Sequence, residues 1–320
     1  ADHGPHPGFR TEWWYFTGNL ESTDGRRFGF QLTFFRNALA PEPPDSPSAW
    51  AARDVWMAHL ALTDVESGRF HAFDRFERGA LDLAGVRPEP LAVWTGPWRA
   101  ASTGAETFPL RLQAAQDDVS HDLLLEPAKD LVLHGDRGLY QIGAVPGNAS
   151  NYYTFTRLAT RGTVRTGEDE HDVQGSSWLD REWSTSALEA GQVGWDWFAL
   201  QLADGRELML YQLRRDDGSP SPESSGTLVA ADGTTRHLAR DDFRIEPIAT
   251  WTSPRSGAVY PARWRLTVPS ESIELEVRPV LADQELDLAF RYWEGAVDVT
   301  GTAAGRGYVE LTGYGPAPGS

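Results

Sequence analysis

The sequence predicts an all-β protein of two tandem antiparallel units related by internal duplication, and three observations carry that expectation. First, Glu12-Trp13-Trp14-Tyr15-Phe16-Thr17-Gly18-Asn19-Leu20 returns in blurred form as Gly194-Trp195-Asp196-Trp197-Phe198-Ala199-Leu200-Gln201-Leu202. Each copy runs through an Asp-Gly pair, Asp24-Gly25 or Asp204-Gly205, into a second strand that ends on Arg36 or Arg214. Asp-Gly between alternating apolar runs is a strong hairpin signal. Second, Gly175-Ser176-Ser177-Trp178-Leu179-Asp180 matches Gly305-Arg306-Gly307-Tyr308-Val309-Glu310 in the same order, which puts an acid near the end of each unit. Third, short alternating runs separated by turns dominate, and sustained helical periodicity is missing. Strands at that spacing build a sandwich or a barrel, and a closed barrel hides its edges.

Taken in chain order, residues 27–34 put Phe28, Phe30, Leu32 and Phe34 on one face and Gly29, Gln31 and Thr33 on the other, the pattern of a half-buried strand. Four prolines within 41–48 make an irregular surface loop. Residues 55–63 are apolar on both faces, with His59 beside Val55, Met57 and Ala61, as in a strand between a core and a pocket. Further strands are expected over 69–78, 108–114, 121–126 and 152–159. Residues 184–190 are expected to form one or two helical turns joining the copies. The domains then divide into 1–188 and 189–320. In the second, strands are expected over 195–202, 207–213, 260–268, 273–277, 286–293 and 307–313, with a Ser/Pro-rich loop over 218–226. The two opening strands are expected to line the barrel interiors, so that Trp13, Tyr15, Trp195 and Trp197 become ligand-binding candidates.

Composition narrows the function. A length of 320 residues suits two cores, and a net charge of −17 repels phosphate backbones and anionic lipid headgroups, which disfavours nucleic-acid binding. No apolar run reaches the roughly 18 residues of a membrane-spanning helix. Zero cysteines exclude disulfides, thiolate metal sites and Cys nucleophiles. Thirteen tryptophans either fill wide β cores or line a pocket for a large apolar ligand. Gly-x-Ser-x-Gly, P-loop and Gly-x-Gly-x-x-Gly patterns are missing, which argues against serine hydrolases, nucleotide enzymes and dinucleotide oxidoreductases.

The chemistry concentrates in Trp178-Leu179-Asp180-Arg181-Glu182-Trp183. In a strand, Asp180 and Glu182 share a side with Trp178, while Arg181 and Trp183 point away. Two carboxylates near an indole let one acid stay protonated while the other is charged. The bland alternative is a buried ion pair with Arg157 or Arg10. His3 and His6 lie on a proline-broken segment without a partner pair, so no metal site is expected. His59 is either a satisfied core histidine or an acid/base group, whereas His71, His121, His134, His171 and His237 sit in polar or turn contexts that suggest solvation.

The opening run Asp2 to Gly18, the central Trp178 to Trp183, and the closing Tyr292-Trp293-Glu294-Gly295 with Gly307 to Tyr314 together resemble the AttH-like and carotenoid 1,2-hydratase family, which includes hydroxyneurosporene synthase. The resemblance implies two lipocalin-like β-barrels, a lipophilic terpenoid or carotenoid-like ligand, and a relation in fold to fungal cyclisation enzymes. It also implies export, to the periplasm or outside the cell, and a chain beginning at Ala1 leaves room for a removed leader; the cytoplasm is the alternative. An alkene is a very weak base, so hydration requires an acid of raised pKa in a dry cavity and aromatic faces for the tertiary cation. Asp180, Trp178 and Tyr153 are expected in those roles, with water held by Asn151 or Glu182, and with Trp183 and His59 also on the substrate. Trp178 stands where the hydratase pattern has Tyr, and Asn151 with Tyr153 stands where it has His-x-Trp. Two readings follow: a lyase of the hydratase kind, or an isomerase or cyclase, with Asp180 as acid; and a non-catalytic carrier or chaperone of an exported lipophile. A sugar-processing site, suggested by paired carboxylates beside Trp, ranks third. No metal or organic cofactor is expected, peripheral membrane contact would serve ligand loading, and the sequence carries no signal for oligomeric state.

Overall fold

The computed structural model describes residues 2–315. In chain order the first strands are β1 (Thr11–Ser22), β2 (Arg27–Ala38), β3 (Asp54–Asp64), β4 (Arg69–Arg78), β5 (Ala84–Pro88), β6 (Leu91–Thr95), β7 (Trp98–Ser102), β8 (Leu110–Gln116) and β9 (Val119–Pro127). Two short strands, β10 (Val132–Leu133) and β11 (Leu139–Gln141), precede the long pair β12 (Ala149–Thr166) and β13 (Asp169–Ser184). The remaining strands are β14 (Gln192–Leu202), β15 (Glu207–Arg215), β16 (Ser225–Val229), β17 (Thr235–Leu238), β18 (Arg244–Thr252), β19 (Val259–Val268), β20 (Ile273–Pro279), β21 (Glu285–Asp287), β22 (Arg291–Gly301) and β23 (Gly305–Leu311). Among the described residues, helix is confined to two 3-10 turns, Arg240–Asp242 and Pro269–Glu271.

Two compact units form, one from residues 1–131 with 150–185, the other from 132–149 with 186–320. The first is an antiparallel sheet in the order β4-β3-β2-β1-β13-β12-β9-β8-β7-β6-β5, with β6 curling back against β2, β3 and β4. The second runs β17-β16-β15-β14-β23-β22-β20-β19-β18. Both sheets are barrel-like, and in both the opening strand lies between the second strand and the last one.

Register reproduces the repeat read from the sequence: Tyr15 stands opposite Asp180, and Trp197 opposite Glu310. The hairpins match as well. Gly25 and Gly205 both take φ +86, a left-handed conformation that costs glycine little, and their N–H groups close the turns onto Ser22 O at 2.9 Å and Leu202 O at 3.1 Å.

Strand alternation decides which aromatics enter each core. Trp14, Phe16 and Leu20 from β1 pack with Phe28, Phe30, Leu32 and Phe34 from β2 and with Leu179 and Trp183 from β13. Phe198, Leu200 and Leu202 do the same in the second unit with Trp264, Trp293 and Val309. Each such side chain contributes about 1.5–3 kcal/mol when removed from water. The expectation that Trp13, Tyr15, Trp195 and Trp197 line these interiors is therefore corrected. They alternate with the core residues and lie on the opposite face of each sheet, because adjacent strand residues point to opposite sides.

Three other expectations change. Residues 185–189 form no helical turn; Ser186 Oγ instead donates to Ala149 O at 3.0 Å. Residues 286–293 are not one strand but a hairpin of β21 and β22, closed by Arg291 Nε on Asp287 Oδ1 at 2.9 Å. His121 and His134 are buried rather than solvated. His121 alternates with Val119, Leu123 and Leu125 on the core face of β9, and His134 Nδ1 bonds Thr227 Oγ1 at 2.9 Å.

Candidate active site

The face of the first sheet opposite its core carries a continuous set of polar and aromatic side chains. Following the pairing across six strands, Thr154, Asp180, Tyr15, Thr33, His59 and Asp74 form one transverse row. Two residues to one side runs the row of Tyr152, Glu182, Trp13, Phe35, Met57 and Phe76. On the other side Trp178, Thr17, Gln31 and Ala61 form a third. Directly paired residues share a face, so these rows describe a single surface. Its centre is buried: Asp180 is 4% exposed, Tyr15 5% and Thr33 fully covered.

Asp180 is the electrostatic focus. Trp178 Nε1 donates to its Oδ1 at 2.7 Å, and the Tyr152 hydroxyl donates to its Oδ2 at 2.8 Å. Burial pushes the carboxyl up to about 7, against the interactions with Thr154, Tyr152 and Trp178 that favour the charged form. An arginine partner, the bland alternative, is not what holds it. The group is a carboxylic acid that keeps its proton to near neutrality inside an aromatic surface, and that is the property an alkene-protonating acid needs.

Glu182 and Trp13 lie two residues along the same face, and Tyr15 lies directly beside the acid. His59 shares the row but stands three strands away, about 14 Å at the usual strand spacing, which is too far to exchange a proton with Asp180 directly. Burial holds its imidazole at about 4, partly offset by Asp74, and Phe35 lies edge-on at 5.3 Å.

Three expected site residues occupy the other face. Tyr153 pairs across from Arg181, and Asn151 from Trp183, so their parity is that of the core rather than that of Asp180. The expectation that Tyr153 and Asn151 assist the acid is corrected: Tyr152 and Thr154 hold those places. Trp183 is likewise turned inward, where the His6 ring stacks on it at 3.8 Å.

These inward residues anchor the N-terminal segment. Arg181 lies 3.7 Å over the Trp14 ring and donates to Glu12 Oε2 at 2.5 Å and to Gly4 O at 2.6 Å. Arg36 bonds the same Glu12, reaches Asp54 at 2.8 Å, and caps the carbonyls of His6 and Phe9 at 3.0 and 2.9 Å. His3 Nδ1 meets the Tyr153 hydroxyl at 2.5 Å. Burial disfavours charge on Glu12, yet the His6 bond and the two guanidiniums win and hold it at about 2. His3 and His6 are thus committed to a structural network, and among the described residues no group of three or more His, Asp or Glu could hold a metal.

The second unit, taken by itself, repeats the pattern. Glu310 stands between Trp197 and Glu294 and accepts from Trp195 Nε1 at 2.7 Å, with Tyr211 beyond Trp197. Its equivalent of the Glu12–Arg36 anchor is Asp196, bonded to Arg214 at 3.0 Å and to the Tyr314 hydroxyl at 2.8 Å.

A family model described as AttH-like matches residues 1–314. The crystal structure of an AttH protein from Nitrosomonas europaea is similar over 98% of this chain and 96% of its own, with a TM-score of 0.88 and 36% identity. Kievitone hydratase from Fusarium solani is 22% identical over 64% of this chain and 58% of its own length, so the match spans less than two thirds of that enzyme. Acyclic carotenoid 1,2-hydratase from Cereibacter sphaeroides is 26% identical over 64% of this chain and 74% of its own.

Proposed function

The chain belongs to the AttH-like family, and from that premise we propose that it protonates an alkene of a hydrophobic, terpenoid-like substrate and hydrates the cation that results. Two of its relatives are hydratases. The observation that carries the reading is the Asp180 carboxyl, buried on an aromatic face and protonated to about pH 7.

In this scheme Asp180 transfers its proton to the less substituted alkene carbon, forming a C–H bond and a tertiary cation. The carboxylate left behind and the faces of Trp178 and Tyr15 stabilise that cation. A water oriented by Glu182 attacks it, and the released proton returns to Asp180, which restores the acid. Loss of a neighbouring proton instead of water attack would give isomerisation, so the same acid serves the lyase and isomerase alternatives. Trp13 and Phe35 extend the apolar surface on one side. His59, held neutral at the far end of the row, accepts or donates a hydrogen bond to a distal polar group of the ligand. The same reading places the protein in the periplasm or outside the cell, as expected for the AttH-like branch.

The test is incorporation of water. An acyclic polyene with a trisubstituted terminal alkene, incubated with the protein in ¹⁸O water, should yield a tertiary alcohol carrying the label. A polyene that binds but is recovered unchanged would overturn the hydratase reading and favour the carrier.

A further inference from the structure

Polar and apolar side chains are sorted by row on the outer face of the first sheet. Outward from Asp180, the central row carries Tyr15, Thr33, His59 and Asp74, and the row of Trp178 carries Thr17, Gln31 and Ala61. The row of Glu182 is apolar from there on, through Trp13, Phe35, Met57 and Phe76. Ring contacts agree with these sides. Phe35 meets His59 edge-on at 5.3 Å on this face, and Trp14 stacks on Trp56 at 5.8 Å on the other. Trp13 and Phe35 are partly exposed, Met57 is buried, and Phe76 is 46% exposed on β4, the last strand in the sheet order. An apolar strip therefore starts beside the acid and runs across the strands to the margin of the sheet. Neighbouring strands lie about 4.8 Å apart, which is also the length of one extended isoprene repeat. Four such spacings separate Glu182 from Phe76, or ~19 Å, the length of about four repeats.

We propose, resting on the reading of this face as the substrate surface, that Met57 and Phe76 are specificity residues. They complete a strip that selects acyclic isoprenoid chains of about four units or more, one unit per strand spacing. The terminal alkene lies over Asp180 and Trp178, and the chain follows Trp13, Phe35 and Met57 to Phe76. It avoids the other two rows, because an apolar chain laid over hydroxyl, amide and imidazole groups would take them from water and offer no hydrogen bond in return. A chain of two or three units leaves the outer part of the strip uncovered. A longer one passes the edge of the sheet at Phe76 and gains no further contact.

The experiment measures the affinity of the full chain, by quenching of tryptophan fluorescence, for geraniol, farnesol, geranylgeraniol and the six-unit prenol. Affinity should rise about tenfold per added unit as far as geranylgeraniol, as each unit leaves water for the strip, and then level off. Phe76→Ser, at a half-exposed position outside the core, should move the plateau back to farnesol and leave the affinity for geraniol unchanged. Met57→Gln should move it back to geraniol; if that buried substitution folds poorly, the Phe76 variant decides alone. Wild-type affinity that levels off before geranylgeraniol, or that keeps rising to the six-unit prenol, overturns the proposal. So does a Phe76→Ser variant that binds every length as wild type does, or weakens all lengths equally. These affinities are read without turnover, so a polyene that binds by this rule and is recovered unhydrated would overturn the hydratase reading alone.

Discussion

Replacing Asp180 by Asn exchanges an ionisable carboxyl for a neutral amide of the same shape, and the pH dependence of folding stability reads that exchange. In the folded chain burial raises the carboxyl from 3.8 to about 7, whereas in the unfolded chain it titrates in the ordinary range. Between those values the folded state holds a proton that the unfolded state has released. The contribution of this group to stability therefore falls as pH rises from about 4 to about 7 and is level above. At about 1.36 kcal/mol per pKa unit the whole span is worth at most about 4 kcal/mol. Asn removes the slope. Wild-type stability relative to the variant should drop by up to about 4 kcal/mol between pH 4 and pH 8. Urea denaturation followed by tryptophan fluorescence, repeated across that range, measures the difference. A difference that is flat or that increases with pH refutes the claim that Asp180 is folded in its protonated form.

Three further outcomes follow from the same geometry. Tyr152→Phe removes a donor that favours the charged form, so the Asp180 midpoint, followed by the infrared carbonyl stretch of its protonated carboxyl across pH 4 to 9, should rise, while Tyr153→Phe, on the other face, should leave it unchanged. Glu12→Gln should cost about 3–5 kcal/mol, because it strands the buried Arg181 charge, measured as a shift in urea midpoint. Glu12 is held at about 2, so its contribution is present above the ordinary carboxylate range and is lost as pH falls toward 2; the variant should lack that acid limb. Relative to His121→Leu, the wild type should lose about 3 kcal/mol as pH falls from 6.5 to 4, because over that window the unfolded chain binds a proton that the buried imidazole, held at about 4 by desolvation, refuses; urea denaturation of the pair across that range measures the difference.

The duplication and the all-β architecture were legible because they rest on patterns of period two and on Asp-Gly turns, which are local. The equivalence of Tyr15 with Trp197 and of Asp180 with Glu310 is legible too, since matched sequence order implies matched register. The direction of each aromatic within a doublet was not. Trp13 and Trp14, or Tyr152 and Tyr153, exchange faces with a shift of one residue, and that shift is set by pairing with β13. The sheet pairs Asp180 with Thr154, so even-numbered residues of β12 face the acid near this point, and Tyr152 displaces Tyr153 from the site. Strands β5 to β7 are not legible in the sequence because Pro88, Pro90 and Pro97 punctuate them; prolines at strand ends read as loop. The Glu12–Arg181–Arg36 network joins residues from three strands, and no spacing within one segment reveals such a triad.

The account stands on Asp180 as the proton donor of a hydrophobic site. Its most direct measurement pairs turnover with affinity for the same acyclic polyene in wild type and Asp180→Asn. Affinity can be read by quenching of tryptophan fluorescence. The account predicts that the variant binds within a few fold of wild type and forms no hydrated product. A variant that hydrates the polyene at the wild-type rate would contradict it.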